Sequence, residues 1–208
     1  YYLGSGKSFT DRGAVKRDLE LALSKALAQK APFIIGTAGG AGSARHVQWL
    51  KDILLEIAAE KNLQFKLGTV YSDVSKEFVL EKLDSGKITN MSDEMPLSQK
   101  NIEESTTIVS QIGIAPIVEL LKEKADVILC GRACDTAIYA APCIYNGYDP
   151  GLAFHMAKIM ECGAMCAEPV AAADVMQAYM YEDHFELRPA NPIRKCTVDR
   201  VAAHTLYE

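Results

Sequence analysis

Phe33-Ile34-Ile35-Gly36-Thr37-Ala38-Gly39-Gly40-Ala41-Gly42-Ser43-Ala44-Arg45-His46 is the stretch on which the fold turns. A short β-favouring apolar run leads into a cluster of glycines, and the residues that follow carry Val47, Leu50, Leu54, Ile57 and Ala58 at helical spacing. The stretch reads as strand, loop and helix. In an open α/β sheet such a loop is where backbone N–H groups and the amino end of a helix meet a ligand.

Working outward, Val15, Leu19, Ala22, Leu23, Ala26 and Leu27 predict a helix over 11–29, closed by Pro32. Downstream, Phe65 to Tyr71 reads as a strand, Asp73 as the N-cap of a helix that buries Phe78, Val79 and Leu83, and residues 86–100 as a loop. Helices are expected from Ile102 to Ile112 and from Ala115 to Lys124. Asp126-Val127-Ile128-Leu129-Cys130 is the most strand-like run of the chain. A small-residue helix over 136–144 and a helix opened by Asp149-Pro150 and running to Cys166 complete the pattern.

Strands alternating with helices predict an α/β fold: a doubly wound, mostly parallel sheet with helices on both faces. From Glu168 the segments become short and mixed (Ala178 to Tyr181, Phe185 to Leu187). We therefore expect a Rossmann-like domain over 1–167, incomplete at its amino end, and the start of a smaller C-terminal appendage over 168–208, incomplete at its carboxyl end. The chain begins at Tyr1 and reads as an excised middle.

Gly39, Gly40, Gly42 and Ser43 would bring backbone N–H groups to a phosphate or carboxylate, the alternative being a tight turn with no ligand. The dinucleotide pattern G-x-G-x-x-G fails because Arg45 stands at its third glycine. Arg45 and His46 fall in the first helical turn, where positive side chains are unfavourable without an anion nearby. Gly4-Ser5-Gly6-Lys7-Ser8 resembles the end of a phosphate-binding P-loop, but Tyr1 stands where its first glycine is required. Arg132, just past a strand, can clamp a carboxylate. Asp135 is either a base or a helix cap, and Ser72 with Asp73 either orients a substrate or caps. His155 is a candidate proton carrier. With Ile159, Cys162 and Cys166 it forms a stripe that is either a metal half-site or, more simply, an apolar face packed on the sheet. Lys158 and Glu161 read as a surface ion pair.

Apolar residues make up 49% of the chain and charged residues 24%, as in folded globular proteins. A net charge of -5 without clustered Lys and Arg argues against a nucleic-acid partner. No apolar run approaches the roughly 18 residues that cross a bilayer, and the polar stretch from Tyr1 lacks the apolar h-region of a signal peptide, so a cytoplasmic location is the expectation. Six cysteines without a C-x-x-C pair predict free thiols, no disulfides and no metal.

"IIGTAGGAG" (34–42), "YSDVSKEFVLEKL" (71–83), "ADVILCGRACDTAIYAAP" (125–142), "GLAFHMAKIMECGA" (151–164) and "NPIRKCTVDRVAAHTLYE" (191–208) together resemble the acyclic terpene utilization (AtuA) family over essentially the whole chain. The resemblance implies a longer protein of organic-acid or acyl-CoA catabolism, with a CoA thioester as candidate substrate. It also implies a small ferredoxin-like partner domain, fused or separate; a homo-oligomer is a further expectation. It brings no established catalytic residue. With no redox cofactor or hydrolytic triad visible, a lyase or hydratase on an anionic substrate is the expected activity. Gly39, Gly40, Gly42 and Arg45 would hold the anion, Arg132 would orient the acid, and Asp135 or His155 would move protons. The alternative is a noncatalytic ligand-binding or assembly subunit.

Overall fold

The computed structural model describes residues 1–89, 95–170 and 174–207. The chain divides into two compact units, one of Tyr1–Gln111 with Asp126–Arg132, the other of Ile112–Ala125 with Ala133–Glu208.

In the first unit, a short helix α1 (Tyr2–Ser5) precedes α2 (Arg12–Ala28), which starts where the Asp11 carboxylate accepts from the Ala14 N–H. Strand β1 (Phe33–Ile35) follows, then a 3-10 turn at Ala38–Gly40 and the long helix α3 (Ala44–Lys61), ended by Asn62 in the left-handed conformation. β2 (Leu67–Val70), α4 (Lys76–Asp84) and α5 (Gln99–Glu104) lead out of the unit, and the chain returns as β3 (Val127–Cys130).

The three strands are parallel, in the order β1-β3-β2. The register sets Phe33 and Leu67 beside Val127, and Ile35 beside Leu129. With a side-chain period of two, all five therefore share one face. Onto that face pack Leu23 of α2 and Val47, Leu50, Ile53, Leu54 and Ile57 of α3. Each such side chain contributes about 1.5–3 kcal/mol by leaving water. Arg12 and Lys16 of α2 pair with Glu56 of α3, and Lys16 also with Glu60, fastening the two helices along their exposed edge.

The second unit begins with α6 (Ala115–Lys122) and continues with α7 (Ala137–Tyr145) and α8 (Pro150–Met160), which Asp149 caps by accepting from Leu152. Ala140 of α7 packs with Ala153 and Ala157 of α8, so side chains of one methyl group let the helices approach closely. A 3-10 turn at Gly163–Cys166, an antiparallel hairpin of β4 (Met176–Met180) and β5 (Phe185–Pro189), and α9 (Val198–Tyr207) follow. Met156, Ile159, Met160, Cys166 and Met176 form their core.

The class is α/β, but a doubly wound sheet is not what the described residues form. They make three parallel strands and a separate two-stranded ribbon. After β3 the chain runs through α7 and α8 without a strand between, because only the turn Asn146-Gly147-Tyr148-Asp149 joins them. Three boundaries also differ. The helix expected over 102–112 gives way, after α5, to extended chain that bridges Val109 to Asp73 and Ile112 to Ala133. The stretch Thr106-Thr107-Ile108-Val109 is β-branched throughout, and such side chains favour extended backbone. Asp73, occupied by that bridge, does not cap α4; Ser75 does, accepting from Phe78. Phe78 itself is half exposed rather than buried. Within the expected loop over 86–100, residues 90–94 lie outside the described residues.

Candidate functional site

Because β1, β2 and β3 run parallel, the glycine loop, Tyr71–Asp73 and Gly131–Arg132 all leave one edge of the sheet. The Ser72 hydroxyl joins them: it accepts from the Arg132 N–H at 2.6 Å and donates to the Gly42 carbonyl at 2.9 Å. The Ser72 carbonyl in turn accepts from the Ser110 N–H at 2.8 Å. Ser72 is buried, so its two bonds are not exchanged with water and hold the loops together.

The glycines are used by the chain itself. Gly42, at φ +77, lies directly against the backbone of Gly131 and Arg132, and Gly131 against Ser72. Gly39 backs onto the His46 ring and Gly40 lies under Phe9. Residues 4–9 therefore run beside the glycine loop, and the Gly-Ser-Gly-Lys-Ser segment borders α3.

His46 is fully buried. A carbonyl only accepts, so the Nε2–H donates to the Lys7 carbonyl at 2.9 Å, and Nδ1 meets the Ser43 hydroxyl at 2.6 Å. Ser43, thus engaged, makes no side-chain cap on α3. The signal for this pair was the Ser43/His46 spacing of three residues at a helix start, which hides a side-chain bond behind the look of two unrelated polar residues.

Arg45 is exposed, its stem against Gly6. Arg132 is half-buried, and only its backbone N–H is bonded. Among the described residues neither guanidinium has a hydrogen-bonding or ion-pair partner. Two free guanidiniums flank the uncapped amino end of a five-turn helix, an arrangement that attracts negative charge.

Asp135 and His155 belong to the second unit. Asp135 is exposed and caps nothing; Thr136 is the N-cap residue of α7. Asp135 bears instead on Tyr139, whose phenol is pushed above its ordinary value first by burial and then by the charges of Glu161, Asp135 and Cys162. A phenol so placed keeps its proton and can donate it. Glu161 bonds Lys158 at 2.7 Å with its side chain only 11% exposed, so this pair is more sheltered than the surface pair expected. Tyr139 was not singled out from the sequence, although it stands four residues from Asp135.

His155 stands at a cavity of about 680 Å³, its ring edge-on to Phe185 with centroids 5.2 Å apart. Among the described residues no hydrogen bond joins it to Asp135. The stripe with Ile159, Cys162 and Cys166 is interrupted, because α8 ends at Met160 and Cys166 belongs to the following 3-10 turn. All six thiols are free. Burial pushes Cys130 up to about 12 and Cys166 up to about 11, so both stay protonated at neutral pH. Among the described residues no three of His, Cys, Asp and Glu are grouped to hold a metal ion, and no helix is long and apolar enough to cross a membrane.

The family model described as acyclic terpene utilisation family protein AtuA matches residues 12–193. No curated protein and no solved structure matches the chain.

Proposed function

The chain belongs to the acyclic terpene utilisation (AtuA) family, and on that premise we propose that it acts in organic-acid or acyl-CoA catabolism as a lyase- or hydratase-type enzyme. Its substrate is anionic, a carboxylate or CoA thioester, held at the glycine loop. The observation that carries this reading is the pair of unpartnered guanidiniums, Arg45 and Arg132, at the sheet edge where Gly42, Ser72 and Gly131 meet. Gly39, Gly40 and Ser43 shape the loop, and Asp73 follows Ser72 at the same edge. The second unit carries its own candidates for moving protons, Asp135, Tyr139 and His155. The cytoplasmic location, homo-oligomer, ferredoxin-like partner and domain boundary near residue 168 belong to the same proposal.

The test is calorimetric titration of the chain with inorganic phosphate and CoA, then turnover against hydroxy and unsaturated acyl-CoAs. Binding that disappears in Arg45→Ala and Arg132→Ala supports the reading; no anion binding by the unmodified chain overturns it. A noncatalytic assembly subunit is the second reading, favoured by Val198, Leu206 and Tyr207 of α9, all more than three-quarters exposed. Anion binding without turnover would select it.

A further inference from the structure

Between α8, β5 and α9, within the second unit, lies the cavity of about 680 Å³ noted at His155. Its volume falls within the roughly 300–1,000 Å³ of small-ligand pockets. Ile159, Phe185, Leu187 and Val201 supply apolar wall. The hydroxyls that also line it are already engaged: Thr197 donates to Glu168 at 3.0 Å and Thr205 to the Val201 carbonyl at 3.0 Å. The Cys196 thiol, raised by burial, keeps its proton. Among the described lining residues His155 is thus the side chain with both ring nitrogens unused, and its contact with Phe185 holds the ring at the cavity.

A water placed against such walls finds few partners. A ligand that fits offers hydrocarbon to the walls and one acceptor to the imidazole N–H. We infer that this cavity takes the hydrocarbon chain of an aliphatic carboxylic acid, with the acid or thioester carbonyl at His155. The inference rests on the acyl-substrate reading above and deepens it, since it names the aliphatic part of that substrate class. Burying the chain lowers its free energy in proportion to its length, so affinity rises with each added methylene. The aliphatic acyl group can arrive as the free acid or as a thioester, and both use the same walls.

The test titrates the chain calorimetrically with octanoate, octanoyl-CoA, 1-octanol and acetate. Octanoate should bind saturably and acetate should not. Binding of octanoyl-CoA alone, at this same cavity, would name the thioester as the source. Ala202→Trp fills the cavity from an exposed position of α9 and should weaken the octanoyl ligands at least about tenfold, or about 1.4 kcal/mol. Its melting temperature should stay unchanged. His155→Leu should weaken octanoate while leaving 1-octanol binding intact, a split that general loosening of the fold would not produce. If Ala202→Trp fails to fold, Leu206→Glu at the rim gives the same reading. Failure of both octanoate and octanoyl-CoA to bind, or binding indifferent to these substitutions, overturns the inference. So does sedimentation showing a dimer that Leu206→Glu dissociates, since the cavity would then be covered by a second copy. Octanoate carries no phosphate, so its failure while phosphate still binds at the glycine loop would sink this inference alone. The opposite outcome would sink the reading of the loop.

Discussion

A β-carbon added to Gly42 would stand 2.2 Å from the backbone nitrogen of Arg132 and 2.5 Å from its Cα. The contact is backbone on backbone, so no side-chain rotation relieves it, and φ at Gly42 is +77. We expect Gly42→Ala to cost more than about 3 kcal/mol, combining left-handed strain with displacement of two loops. Gly86, at φ +67 with nothing within 4 Å, is the control. Gly86→Ala should cost only about 1 kcal/mol. Urea unfolding of both variants checks the pair.

Ser72→Ala removes one donor and one acceptor from a buried position, leaving the Gly42 carbonyl and the Arg132 N–H unmatched. The expected loss is about 2–4 kcal/mol, measured by chemical unfolding. Ser72→Cys, of similar size, should recover little, because a thiol hydrogen-bonds weakly.

Arg132→Ala should weaken anion binding by about 1.5–3 kcal/mol with little change in melting temperature, because no partner inside the described fold holds the guanidinium. Arg132→Lys keeps the charge without the planar fork and should restore only part of the affinity. Melting temperature and affinity measured on the same preparation separate binding from folding. A fall in melting temperature at unchanged affinity would remove Arg132 from the site.

Glu56 links stability to pH. Hydrogen bonds from Arg12 and then Lys16 hold its carboxyl at about 2, below the ordinary value of 4.5. A depressed folded-state value means that the contribution is complete above pH 4.5 and is lost as the pH falls from 4.5 toward about 2. Glu56→Gln should therefore lower the melting temperature at neutral pH and converge with the unmodified chain as the pH falls from 4.5 toward about 2, so that its acid limb is flatter. The group is exposed, so high salt should reduce the difference.

The legible parts of the fold were those whose pattern and packing agree. Leu23, Val47, Leu50, Leu54 and Ile57 repeat at helical spacing and are all buried; Val127 to Cys130 is wholly apolar and wholly buried. Asp11 and Asp149 cap the helices they precede. Ile102, Val109 and Ile112 also fit a helical repeat, but long-range bridges at Val109 and Ile112 outweighed that local signal. At the site, the strand–loop–helix pattern placed the glycine loop and Arg132 at the sheet edge. It did not reveal what crowds the glycines, because Phe9 over Gly40 and Lys7 on His46 are contacts between segments far apart in sequence. Tyr139 escaped for a related reason: its environment comes from burial and from Glu161 and Cys162, just past the end of α8 and more than twenty residues away in sequence.

The strand order has a consequence for how the first unit is born. β3 lies between β1 and β2 yet is the last of the three to be synthesised, after α6 has already intervened. Until a growing chain reaches Cys130, β1 and β2 have no neighbour to pair with, and their apolar faces and open edges are exposed together. Closing the sheet then joins Phe33 to Val127 across a long loop, a slow step by its topology. A ribosome that pauses before Val127 would present helices α2 and α3 around a sheet missing its middle, the state in which this protein most needs a chaperone.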